Sequence, residues 1–77
     1  MPTLMTIGKV KVRVYAGEHG RPHFHLVGVD SAAVVAIESL EVLEGALDRT
    51  LQEAFRWASE NIDVIRSQWD RLNGGLA

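Results

Sequence analysis

From Lys9 to Tyr15 the chain reads KVKVRVY, valine at every second position and a basic or aromatic residue between. Side chains of an extended strand point alternately to opposite faces, so this pattern describes a strand with one covered face and one open face. A helix would scatter the valines around its circumference, because its faces repeat every 3.6 residues rather than every two. The strand is read as running from Thr6 to Tyr15. Val10, Val12 and Val14 point inward, and Lys9, Lys11, Arg13 and Tyr15 point outward.

The alternation resumes further on. AGEHGRP carries the Gly and Pro punctuation of a hairpin loop. HFHLVG then puts Phe24 and Leu26 on the apolar side and His23 and His25 on the other. After a turn at VDS, the stretch AAVVAIE reads as a third strand, and a short N-terminal strand over Leu4–Ile7 is also allowed. SLEVLEGAL is read as a connector broken at Gly45, with Glu38, Glu41 and Glu44 as its solvated acidic residues.

The second half has a different period. Asp48 is placed as a helix N-cap, where a short oxygen-bearing side chain accepts from an unpaired amide of the first turn. Leu51, Phe55, Ala58, Ile62, Ile65, Trp69 and Leu72 then follow at alternating intervals of four and three, an apolar helical stripe that ends at Asn73-Gly74-Gly75. One helix of that length outruns a small sheet, and a bend near Ser59–Asn61 would make it two. Trp57 and Val64 lie off the stripe. The expected architecture is α+β: one domain over residues 1–77, with an antiparallel sheet of three or four strands covered on one face by a C-terminal helical segment. Val10, Val12, Val14, Phe24, Leu26, Leu51, Phe55, Ile62 and Ile65 are its expected core.

With no cysteine, disulfides and thiolate metal sites are excluded, and a 77-residue core is close to the smallest that stands alone. No apolar run is long enough to span a bilayer, and the N-terminal residues lack a signal-peptide pattern, so a cytoplasmic protein is expected. A net charge of −2 argues against a strongly basic, nonspecific nucleic-acid binder. The charges are unevenly spread. Residues 1–31 hold Lys9, Lys11, Arg13 and Arg21 against Glu18 and Asp30, whereas residues 32–77 set four arginines against eight acids. Such asymmetry can turn one face toward a polyanion and another toward a protein.

All three histidines, His19, His23 and His25, fall within seven positions. Three readings are open. The imidazoles, with Glu18, can be metal ligands, but a pair two apart on a strand is a weak metal signature without a distant third ligand, and no metal site is assigned. They can be acid and base catalysts beside Lys9, Lys11, Arg13 and Arg21, which would contact phosphate, with Tyr15 stacking on a base. Or they can be packing residues around a tight corner, function lying with a protein partner on the helix. Gly8, Gly17, Gly20 and Gly28 lack phosphate-loop spacing, and no cofactor is expected.

Three stretches together resemble a known family: MPTLMTIGKVKVRVYAGEHGRPHFHL, then IESLEVLEG, then a helix containing WASEN. The chain is similar over nearly its whole length to the small bacterial and archaeal proteins of domain-of-unknown-function family 4160. Glu18, His19, Pro22, His23 and His25 match that family's EH–PHxH pattern, and Leu40 to Gly45 match its second anchor. The resemblance implies a fold and a context rather than a reaction: family members are often encoded beside a second small domain, in pairs suggested to behave as toxin–antitoxin modules. The expected function is therefore one member of such a pair, binding or cleaving RNA through the histidine-bearing face. The alternative is a non-enzymatic, antitoxin-like regulator. A homodimer or a complex with the co-encoded protein is expected on the helical half.

Overall fold

A computed structural model of the chain describes residues 3–15 and 21–74. Five strands form one sheet: β1 Thr3–Ile7, β2 Val10–Arg13, β3 His23–Val27, β4 Ala32–Ala36 and β5 Val42–Gly45. They lie in chain order and each is antiparallel to the next. Two helices follow, α1 Arg49–Glu60 and α2 Ile62–Trp69, and then a π-helical turn over Asp70–Gly74. The expected α+β arrangement is what the chain adopts, with five strands where three or four were anticipated.

Both extra strand boundaries have a local cause. The stretch read as one strand from Thr6 is a hairpin, its two-residue turn made by Gly8 and Lys9 between the paired Ile7 and Val10. Gly8 takes φ +61°, the left-handed value that a tight hairpin needs at its first central position and that a glycine adopts without penalty. Lys9 therefore sits in a turn and not on β2. The stretch read as a connector supplies β5, which pairs Glu44 with Val34 and Val42 with Val35. The chain reaches it by a turn in which Leu40 has φ +62° and donates its N–H to the Ala36 carbonyl at 2.9 Å. Gly45 closes β5 at φ +76°, and a Cβ there would collide with the Ala32 carbonyl oxygen.

The inward side chains Val10, Val12, Val14, Phe24, Leu26, Ala33, Val35 and Ile37 are buried. Against them α1 contributes Leu51, Ala54 and Ala58, and α2 contributes Ile65 and Trp69. Phe55, Ile62 and Leu72, expected in the stripe, are only partly buried on its flank, whereas Ala54 lies fully inside. The small Ala54 and Ala58 let α1 approach the strands closely. Asp48 caps α1 as expected, its Oδ1 accepting from the Leu51 N–H at 3.0 Å. The helical segment does break, at Asn61. There the backbone leaves helical geometry and the side-chain amide donates to the Trp57 carbonyl at 2.8 Å. Among the described residues no helix is long and apolar enough to cross a membrane.

Candidate functional site

Because the helices take the valine face, the opposite face of the sheet is open. Register places Arg13 of β2 opposite His25 of β3, His25 opposite Val34 of β4, and Val34 opposite Glu44 of β5. One row of side chains therefore crosses four strands: cation, imidazole, aliphatic, carboxylate. Lys11 lies opposite Val27, and Val27 opposite Ala32, in the neighbouring row. This is the arithmetic of a period of two: with Phe24 and Leu26 inward, His23 and His25 must face out.

The imidazoles belong to a chain of ring contacts. Tyr15 meets His25 edge-on at 4.6 Å between centroids, His25 meets His23 at 5.2 Å, and His23 meets Trp69 at 5.0 Å. The last contact joins the open face to α2, around the end of the sheet where β2 stops and β3 begins. A second tie sits beside it, since the Asn73 side-chain amide donates to the Tyr15 carbonyl at 2.8 Å. His23 Nδ1 lies 2.7 Å from the Arg21 carbonyl oxygen. A carbonyl only accepts, so Nδ1 carries a proton, and in the neutral ring the lone pair is then on Nε2.

The expected phosphate contacts separate into three groups. Arg13 is held in place, its Nε donating to Thr3 Oγ1 at 3.1 Å and its Nη1 lying 3.4 Å from the Tyr15 hydroxyl. It stands beside His25, and Lys11 lies in the neighbouring row. Arg21 lies at the His23 end but is engaged with Glu41 at 3.5 Å and Ser39 at 3.4 Å. Both charged partners are exposed, so that pair is a weak restraint that an anion can displace. Lys9, in the β1–β2 turn, is at the far end of the sheet from Tyr15 and His23. His19 and Glu18 lie outside the described residues. Among the described residues no three His, Asp or Glu side chains converge on a point that could hold a metal ion.

Beside His25 the face is hollow. A depression of about 280 Å³ is lined by His25, Val27, Ala32, Val34, Glu44 and Gly45, with backbone from Leu26 and Ala33. Its floor is low because β4 presents the short Ala32 and Val34 there, and Glu44 stands at its far side. From the sequence Glu44 reads as a solvated connector residue and Trp69 as packing, and neither is among the residues expected to meet RNA. No sequence signal connects Trp69 to His23, 46 positions away.

The family model described as Domain of unknown function (DUF4160) matches residues 10–70, from the first residue of β2 to the end of α2. No curated protein and no solved structure matches the chain.

Proposed function

The chain belongs to the domain-of-unknown-function 4160 family, and we propose that it binds single-stranded RNA on its open sheet face and cleaves it there, as a cytoplasmic member of a toxin–antitoxin-like pair. The observation that carries this reading is the contiguous run Tyr15–His25–His23 on an open sheet, with Arg13 directly across from His25. Tyr15, His23 and His25 are half-buried, and aromatic rings on an open sheet face are a platform on which unpaired bases stack, at about 1–3 kcal/mol per base. Lys11 and Arg13 meet the phosphates.

The chemistry within reach of these groups is metal-free transfer of the phosphodiester to the 2′-oxygen. A neutral imidazole takes the 2′-hydroxyl proton as that oxygen attacks phosphorus. A second, protonated imidazole gives its proton to the departing 5′-oxygen, leaving a 2′,3′-cyclic phosphate. The Arg13 guanidinium stabilises the charge that builds on the phosphoryl oxygens. His23 and His25 are the described candidates for the pair, and His19, outside the described residues, is the third.

The test uses a fluorescent single-stranded RNA and the same strand with 2′-deoxy sugars. Both should bind, and only the ribose form should be cut, to cyclic-phosphate ends. Binding should weaken with salt at a slope of about 0.7 per phosphate neutralised, so about 1.4 if Lys11 and Arg13 each meet one. The His23→Ala, His25→Ala double variant should abolish cleavage. If neither strand binds, the RNA reading falls. If both bind and neither is cut, the enzyme half falls alone. Growth arrest on expression, relieved by the same double variant, is the matching result in cells.

The paired partner is assigned to the helical half. There Val64 is 51% exposed, and a concavity of about 630 Å³ along α1 is lined by Leu47, Gln52, Glu53, Phe55 and Arg56. Light scattering at micromolar concentration should show a homodimer, or a complex when the co-encoded neighbour is added. A monomer under both conditions overturns this assignment.

A further inference from the structure

We propose that the hollow between His25 and Glu44 is a base-recognition pocket selective for guanine, with the Glu44 carboxylate reading the base. The inference rests on the RNA reading above and adds the identity of the nucleotide.

The pocket joins directly onto the histidine pair, since His25 is its near wall. Its floor of Val27, Ala32 and Val34 is apolar, suited to the flat face of a base. At about 280 Å³ it stands at the small end of ligand sites and is too confined for a bulky ligand. The pocket exists because the β4 residues in its floor, Ala32 and Val34, are short. Larger side chains at either would fill it.

Glu44 decides the selectivity. An ionised carboxylate offers two acceptors and no donor. On its Watson–Crick edge guanine presents two adjacent donors, N1–H and the N2 amino group, which a carboxylate can accept in parallel. The other three bases set a lone pair against it: adenine N1, cytosine N3, and the two carbonyls flanking uracil N3–H. Among the described residues no hydrogen bond or ion pair is recorded for the Glu44 side chain, so a base need not displace one.

Strand spacing matches the reach of one nucleotide. Neighbouring strands are about 4.8 Å apart, which puts Glu44 and His25 about 10 Å apart and Arg13 about 5 Å beyond. With its edge on Glu44 and its face over Val34, a guanosine has its ribose beside His25 and its 3′-phosphate toward Arg13. The 2′-hydroxyl then falls at the imidazole, and the bond broken is the one on the 3′ side of guanosine.

The experiment compares oligodeoxyuridylates carrying one central deoxyguanosine, deoxyadenosine or deoxycytidine, 2′-deoxy throughout so that binding is read without cleavage. The guanosine strand should bind on the order of tenfold more tightly than the others, the discrimination expected of one bidentate base contact. Glu44→Gln should erase the preference, and Val34→Phe, which fills the floor, should erase it too, each read as the ratio of affinities among the three strands rather than as affinity for plain oligodeoxyuridylate. Glu44 is exposed, so its variant should keep the wild-type circular dichroism. Equal binding of all three strands by the wild type overturns the pocket and leaves the RNA reading standing, as does a guanine preference that survives Glu44→Gln. If none of the strands binds, both readings fall.

Discussion

Phe24 carries a prediction that reaches from the core to the open face. It is fully buried, opposite Val35 on β4, and flanked along β3 by the two outward histidines. Truncating such a ring to Ala typically costs about 3–5 kcal/mol, through lost transfer energy and the cavity left behind. The whole stability of a small domain is about 5–15 kcal/mol, so Phe24→Ala should leave a protein close to its unfolding threshold. Phe24→Leu, which refills much of the volume, should cost about 1.5 kcal/mol or less and keeps the measurement within range. Urea unfolding followed by circular dichroism is the assay. With a slope near 1 kcal/mol per molar, expected for a chain this short, the midpoint should fall by about 3 M or more for Ala and about 1.5 M at most for Leu. Val29→Ser, at a turn position 72% exposed, should shift the energy by no more than about 0.5 kcal/mol. If Phe24→Ala matched that control, Phe24 would not be inward. A one-residue slip of β3 would then bury His23 and His25, and the proposed site would not exist.

Two further perturbations probe the frame of the site. Gly45→Ala forces a side chain into a left-handed backbone at about 1–2 kcal/mol, with the collision against Ala32 added to that; thermal unfolding should show the loss, and a variant as stable as wild type would mean that β5 is not seated on β4 as described. Asp48→Ala removes the cap on Leu51 and should cost about 1 kcal/mol with little change at the histidine face, so a variant that lost RNA binding as well would argue that α1 shapes the site directly.

The features legible in the sequence were those with a strong period or a strong cap. Val10, Val12 and Val14 against Lys11 and Arg13, Phe24 and Leu26 against the histidines, and Asp48 before the helical stripe all lie where local chemistry puts them. The break near Asn61 was legible too, because the apolar stripe was longer than its sheet. Two things were hidden for physical reasons. The allowed strand over Leu4–Ile7 is present as β1, but the two-residue turn leaves the valine alternation after Gly8 intact, so Lys9 reads as an outward strand residue rather than as part of a turn. The turn before β5 places a leucine, Leu40, in a conformation usually marked by Gly or Asn, so nothing announced a reversal there. With β5 unseen, Glu44 could not be set across from Val34, and the hollow beside His25 had no far wall. The contact of Trp69 with His23 depends on how the helices wrap the end of the sheet, which no local pattern encodes.

The order of the strands has a kinetic consequence. Each of the four pairings joins neighbours in the chain, so the sheet can zip up hairpin by hairpin with only short loops to close, the kind of topology that folds fast. The histidine end is different, because its contacts come from the last turns of the chain: Trp69 against His23, and Asn73 on Tyr15 across 58 positions. The sheet should therefore form first, and the open face should reach its working geometry only as the helices dock. In a Trp57→Phe background, the stopped-flow fluorescence of Trp69 should lag behind the far-ultraviolet signal of the strands. Coincident phases would show instead that face and scaffold mature in a single step. If the lag is found, a nascent chain would hold a finished sheet and an unfinished site until Trp69 and Asn73 have emerged and docked.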